Sequence, residues 1–206
     1  MVILTDRENA ICNAFLLHSF SELRHEVFVN RLKWPLQCPP GREIDRFDDQ
    51  DAVYMTISGV GGRVVAGLRL LDTVKRSLLN EVFPMLVDGP LPRDPKVMDV
   101  TRFAVDHRPE YVEGTGNLCG LLLCALQDYG LARGLTGYVS VSDVRMEPIL
   151  RRGGYRFRRM GGMIEMDGTG VVALEVEISP EVRAIARRRA GVSERVLVDE
   201  RLRSAA

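Results

Sequence analysis

Four clusters of charged and aromatic residues in this chain are spaced to do chemistry. The first is Arg24, Phe28, Arg31 and Trp34, set four, three and three residues apart. On a helix end Arg24, Phe28 and Arg31 share one face, offering two cations and a ring just ahead of the only tryptophan. The second is Asp45-Arg-Phe47-Asp48, with Asp49 and Asp51 behind it. In an extended segment Asp45 and Phe47 point one way and Asp48 the other. The third is Gly67-Leu-Arg69-Leu, an arginine inside an apolar run. A buried arginine must be paired, because an isolated charge is expensive to desolvate; Asp45, Asp48 and Asp99 are the acids that suit. The fourth is Asp99-Val-Thr101-Arg102-Phe103. In a strand Asp99 and Thr101 share a face, and Arg102 points away unless a bulge intervenes. Taken singly, each cluster also reads as ordinary surface: a solvated helix face, an acidic turn, a strand edge. Together they suit a small zwitterion carrying a cation, a carboxylate and an amine.

The elements that must position these residues follow from pattern. Apolar residues Ile11, Phe15, Leu16, Phe20, Leu23 and Val27 recur at helical intervals from Asn9 to Asn30, with a break expected near Ser19–Ser21. Pro35, Pro39, Pro40 and Gly41 then exclude a helix interior. A loop that long in a compact domain is usually functional or disordered, and its aromatics argue for function. Residues 52–58 and 63–71 read as a hairpin across the GVGG turn. Gly67 marks a bulge or a close backbone approach in its second strand.

Residues 2–4 read as a short first strand or simply as an ordered terminus; further strands are expected at 96–105, 137–142, around 155–160 and at 171–179, and helices at 77–83, 115–134, 144–152 and after Pro180. The fold class is α/β (α+β): one domain over 1–206 with a mixed, mostly antiparallel central sheet flanked by helices. Residues 191–206 are polar and expected to be loosely held.

Composition narrows the function classes. Lys+Arg and Asp+Glu each number 28, so the formal net charge is zero, which argues against a nucleic-acid binder. The four cysteines form no CxxC pair and have no histidine at metal-ligand spacing, so no metal or redox dithiol is expected. No apolar run approaches the roughly 20 residues of a membrane span, and no secretory signal is visible. A cytoplasmic protein with reduced thiols and no membrane partner is expected.

In order, spacing and residue type, the four clusters resemble the LuxI-type autoinducer synthases, the N-acyl-homoserine lactone synthases of bacterial quorum sensing. That family carries Arg…Phe-x-x-Arg-x-x-Trp, then Asp-x-Phe/Tyr-Asp, then Gly-x-Arg-Leu, then Glu-x-Ser/Thr-Arg-Phe/Leu. The matches are Arg24, Phe28, Arg31 and Trp34; Asp45, Phe47 and Asp48; Gly67 and Arg69; Thr101, Arg102 and Phe103. The likeness spans about residues 10–165 and includes MEPILRRGGY. It departs at Asp99, where the family usually has glutamate.

The resemblance implies a fold like that of the GNAT N-acyltransferases. Gly114-Thr-Gly116 supplies part of that superfamily's pyrophosphate loop, although Tyr111 stands where an arginine or glutamine is usual. It implies two substrates, S-adenosylmethionine and an acyl thioester carried by acyl carrier protein or coenzyme A, and no cofactor. Asp99 is then the base for the attacking amine. Arg102 and Arg31 bind the substrate carboxylate, and Trp34 and Phe28 face its sulfonium or adenine. Arg24, Asp45, Asp48 and Arg69 form a charge network that holds the loop, and backbone N–H groups near Phe103 meet the oxyanion. Leu118, Leu122, Leu123, Val139 and Ser142 line an acyl pocket whose depth Met146 and Ile149 limit. The basic cluster Arg151, Arg152, Arg156, Arg158 and Arg159 reads either as a solvated helix end and strand face or as the surface that docks the donor. The competing readings are a GNAT-type acyl-CoA transferase acting on another amine, and a non-catalytic small-molecule-binding module.

Overall fold

A computed structural model describes residues 1–108, 117–193 and 196–198. Among the described residues nine strands make one sheet: β1 (Val2–Thr5), β2 (Val53–Ser58), β3 (Val64–Asp72), β4 (Val97–Val105), β5 (Gly137–Asp143), β6 (Phe157–Arg159), β7 (Ile164–Met166), β8 (Thr169–Glu177) and β9 (Leu197–Val198). Their order is β6-β8-β5-β4-β3-β2-β1-β9, with β7 also paired to β8. Among the described residues only the β4–β5 and β1–β9 pairings are parallel, so the sheet is mixed and mostly antiparallel, as expected. The β2–β3 hairpin turns through Gly61 and Gly62, both at positive φ, the conformation that glycine adopts without steric cost.

Helices cover both faces. On one lie α3 (Leu118–Ala132) and α5 (Pro180–Ala190), over a core that includes Met55, Leu68, Leu70, Val100, Leu122 and Leu174. Asn117 caps α3 by accepting from Gly120 N at 2.8 Å, and Ser179 caps α5 ahead of Pro180. Arg183 and Arg187 of α5 reach Asp128 of α3 at 2.5 and 3.2 Å, pinning the two helices together. On the other face α1 (Ala14–Arg24) packs Phe20 and Leu23, and the helical turn that follows it packs Val27 and Phe28, with Tyr54, Val64 and Leu71. The short α2 (Leu78–Val82) covers Val139 and Ala173. A further helix is α4 (Met146–Gly153).

Three local expectations are corrected. The first helix begins at Ala14 and is unbroken at Ser19–Ser21, because Ser19 is spent on a tertiary contact, its Oγ accepting from Val64 N at 2.9 Å. Ile11 and Phe15 are 92% and 64% exposed rather than core. Part of the stretch expected to be loose is tied down: β9 pairs with β1, and Val2 N donates to Val196 O at 2.8 Å. The Gly114–Gly116 loop and Tyr111 lie outside the described residues.

Gly67 sits where the backbone and a ring close in. A Cβ there would stand 2.7 Å from the Phe20 ring and 2.9 Å from Met55 O, so only glycine lets α1 lie against β3.

Candidate active site

The chain leaves α1 without a stop signal and widens into a π-helical stretch over His25–Arg31, a form that recurs at functional sites. Its i→i+5 pattern, seen where Leu32 N donates to Val27 O at 2.9 Å, breaks the face expected from α-helical spacing. Arg24 and Phe28 point inward, whereas Arg31 is turned to the surface and donates to Val105 O at 3.2 Å. Trp34 then folds back, its N–H donating to Phe28 O at 2.9 Å. Its ring stacks on Phe28 with centroids 4.8 Å apart, leaving the indole 40% exposed.

Asp45–Asp48 is a turn, not the extended segment expected. Asp48 N donates to Asp45 O at 3.1 Å, Asp45 N to Asp48 Oδ2 at 2.8 Å and Phe47 N to Asp45 Oδ1 at 2.8 Å. Both carboxylates therefore converge on Arg69, which is fully buried. Arg69 takes Asp45 through two bonds of 2.6 and 3.0 Å and Asp48 at 2.8 Å, and its Nε donates to Thr101 Oγ1 at 3.0 Å. Of the three acids that suited it, Asp45 and Asp48 pair with it directly. Tyr54 Oη also donates to Asp48, at 2.9 Å.

Arg102 reaches this cluster because β4 bulges. Gly67 pairs with Ala104 and Arg69 with Thr101, so Arg102 and Phe103 stand opposite Leu68 alone. Arg102 takes a φ of 54°, uncommon for a non-glycine residue, and turns onto the face that Thr101 occupies. Its Nε and Nη2 donate to Glu43 at 3.0 and 3.1 Å, Nη2 also to Asp45 at 2.7 Å, and its guanidinium lies 5.7 Å from the Phe28 ring centroid. Arg24 closes the set, donating to Glu43 at 2.5 Å and to Asp48 at 2.7 and 2.9 Å.

The result is a closed ring of alternating charge: Arg24, Glu43, Arg102, Asp45, Arg69, Asp48 and back to Arg24. Each carboxylate bridges two guanidiniums, which satisfies charges that would be costly to bury singly. Burial alone raises the Asp45 and Asp48 carboxyls, but the guanidiniums outweigh it and hold both below the usual carboxylate range. Burial likewise opposes charge on Arg24 and Arg69, and the acids again prevail, so both guanidiniums bind their proton more tightly than usual. Glu43, the member that sequence reasoning missed, sits two residues before Asp45 in the same loop. A carboxylate so close to a recognised acidic pair was the signal available.

Asp99 lies apart from the ring. It is fully buried under α2, where Oδ2 accepts from Ser77 Oγ at 2.8 Å and Leu79 N at 2.9 Å. Oδ1 has no hydrogen-bond partner among the described residues. Burial, the largest effect, raises the carboxyl above its usual range despite these donors and nearby Arg69. Asp99 also marks where the sheet opens. β4 and β5 pair only from Val97–Gly137 to Asp99–Val139, although both strands run on. Just past that point Ser140 Oγ donates to Val100 O at 2.9 Å and lies 3.0 Å from Ser142 Oγ.

The residues expected to line one acyl pocket are divided by the sheet. Leu122 and Leu123 belong to the α3-side core and Leu118 packs against it, whereas Val139 packs under α2 with Leu79 and Ala173. Alternation along β5 accounts for the split. Ser142, Met146 and Ile149 are half-buried. Arg151 and Arg152 are exposed on α4, but the basic cluster is interleaved with acids. Arg156 pairs with Glu177 at 3.2 Å, Arg159 with Glu147 at 2.6 Å, Arg151 more loosely with Glu147 at 3.9 Å, and Arg158 with Glu175.

Comparison with protein families matches residues 8–185 to the autoinducer synthases. The chain belongs to the autoinducer synthase family. The synthase is 31% identical over 169 residues to the acyl-homoserine-lactone synthase of Acinetobacter nosocomialis, covering 79% of this chain and 92% of that one. It is 32% identical over 182 residues to the isovaleryl-homoserine lactone synthase of Bradyrhizobium diazoefficiens, covering 86% and 80%. Its fold superposes with a TM-score of 0.86 on a CoA-dependent acyl-homoserine lactone synthase, BjaI, solved with SAM and isopentyl-CoA, at 29% identity over 96% of this chain and 92% of that one. An acyl-CoA N-acyltransferase from Pseudomonas aeruginosa shares the fold alone, with a TM-score of 0.58 at 19% identity over 85% of this chain and 97% of that one. Acyl-homoserine lactone synthesis, an acyl transfer, is the activity of this family, and the GNAT-like fold is the one the motifs implied.

Proposed function

We propose that this synthase transfers an acyl group from a thioester to the amine of S-adenosylmethionine and closes the product to an N-acyl-homoserine lactone, releasing methylthioadenosine. The observation that carries the reading is the Phe28–Trp34 stack beside Arg102, on a closed ring of buried charge at the β4 bulge. The stack offers π faces to a sulfonium and an adenine, a contact worth about 0.5–2 kcal/mol for a cation over an aromatic ring. The charge ring fixes the loop and Arg102, so that the substrate's carboxylate and amine are held in register. Arg31, on the surface, serves the rim rather than the floor of that site.

The substrate ammonium, with a reference pKa of about 7.7–8.0, gives one proton to Asp99, directly or through water. The neutral amine attacks the thioester carbonyl, and the oxyanion is met by backbone N–H groups at the bulge near Phe103. The C–S bond then breaks, and the second nitrogen proton leaves with the thiolate as thiol. In the second step a carboxylate oxygen displaces the sulfonium at the γ-carbon, cancelling both charges and freeing neutral methylthioadenosine.

Coenzyme A is the donor we assign. Support comes from the likeness to CoA-dependent synthases and from the arginine cluster, whose charge is partly met by Glu147, Glu175 and Glu177. That surface presents a weaker field to an acidic carrier protein than five bare arginines would. The enzyme works in the cytoplasm with reduced thiols. Purified protein supplied with S-adenosylmethionine and acyl-CoA is expected to release methylthioadenosine and a lactone in equal amounts. Acyl transfer without methylthioadenosine would refute the reading. A higher kcat/KM with the same acyl group on carrier protein would overturn only the donor assignment.

A further inference from the structure

Ser77 stands at the start of α2 in extended conformation, with its hydroxyl buried. Its Oγ accepts from Asn80 N at 3.3 Å and faces Asp99 Oδ2 at 2.8 Å. A hydroxyl has a single proton, and Asn80 N can only donate, so the Ser77 proton goes to Asp99. Leu79 N donates to the same carboxylate oxygen at 2.9 Å. Two donors are therefore spent on Oδ2, while Oδ1, equally buried, has no hydrogen-bond partner among the described residues.

We propose that Ser77 is a positioning residue for acyl transfer: with Leu79 N it clamps Oδ2 of Asp99 and so reserves Oδ1 as the oxygen that takes the proton from the amine. The proposal rests on Asp99 serving as the base. The clamp does two things. It locks the rotamer of a short side chain that would otherwise turn either oxygen toward the reacting nitrogen. It also favours the ionised carboxylate against its burial, since hydrogen bonds to a charged form stabilise that form. Both donors come from the loop and first turn after β3, a segment held in place by Thr73 Oγ1 donating to Val97 O at 2.8 Å and Asn80 Nδ2 donating to Pro92 O at 2.7 Å.

The test uses Ser77→Ala, Ser77→Gly and Ser77→Thr in the full chain. Glycine is tolerated at helix N-caps, so Ser77→Gly removes the hydroxyl while sparing the fold if Ser77→Ala does not. In both variants the acidic limb of the kcat/KM profile is expected to move to higher pH, because the carboxylate has lost a donor. At neutral pH kcat falls about tenfold, as for one lost bond to a charged group, with KM for S-adenosylmethionine within twofold of wild type. Ser77→Thr restores both. A folded Ser77→Gly whose acidic limb has not moved, or a loss that Ser77→Thr leaves in place, overturns the proposal. Asp99→Asn separates the two levels. Wild-type turnover in that variant removes the base assignment itself, whereas inactivity there beside an unperturbed Ser77→Gly removes only the clamp.

Discussion

Arg102 and Glu43, 59 residues apart in the chain, meet through two hydrogen bonds of 3.0 and 3.1 Å. Glu43 also bridges to Arg24 at 2.5 Å, so the charge ring depends on it at two points. Glu43→Gln keeps the volume and removes the charge, leaving two buried guanidiniums short of an anion. Unfolding free energy is expected to fall by about 3 kcal/mol, the range for a broken buried pair, with lactone synthesis down at least a hundredfold. Urea denaturation checks the first figure. A variant as stable as wild type would mean that the ring is not a unit. Arg102→Ala breaks the same contact and is expected to lower stability as well as activity, not activity alone.

Acid should loosen this enzyme through Asp48. Its carboxyl lies well below the unfolded value of about 3.9, because two guanidiniums more than offset the effect of burial. Its contribution is thus complete above the unfolded pKa and is lost as pH falls from about 5 through the folded value. Asp48→Asn should be less stable at pH 7 yet show a shallower decline between pH 5 and 3. Parallel stability curves for the two proteins would contradict this account.

Gly67→Ala should cost about 1–3 kcal/mol, the range for overpacking a filled core. The new methyl group would meet the Phe20 ring and Met55 O below 3 Å. Thermal melting of the purified variant is the measurement. An unchanged midpoint would show that α1 can slide away freely.

Trp34→Ala should lower the melting temperature by only a few degrees, since the indole is already 40% exposed and gives up chiefly its stack on Phe28. S-adenosylmethionine affinity should drop about 3- to 30-fold, the equivalent of 0.5–2 kcal/mol for one cation–π contact. Calorimetric titration reads this directly, and equal affinity would place the sulfonium elsewhere.

Much of this architecture was legible because periodicity and turn chemistry act locally. The β2–β3 hairpin, the apolar α3 and the α5 that opens on Pro180 each follow from residues in or beside the element. The site was legible for a different reason: arginine among apolar neighbours requires an acid, and Arg69 found two of those foreseen. What stayed hidden depends on distant contacts. Ser19 gives no local sign that it will accept from Val64. The π-helical turn breaks no propensity rule, so α-helical spacing wrongly set Arg31 beside Phe28. The Asp45–Asp48 turn is drawn closed by its own side chains, a competition that alternation alone does not weigh. β7 is only three residues long, and β9 two, too short for a period to register.

The parallel partnership of Leu197–Val198 with Val2–Thr5 carries a practical consequence for handling the protein. Cutting the chain before Val196 would strip a border strand from the sheet and bare the peptide groups of its neighbour, the kind of surface that recruits other chains. Shortened versions should therefore clump before they lose catalysis, and affinity handles are better spaced away from that seam.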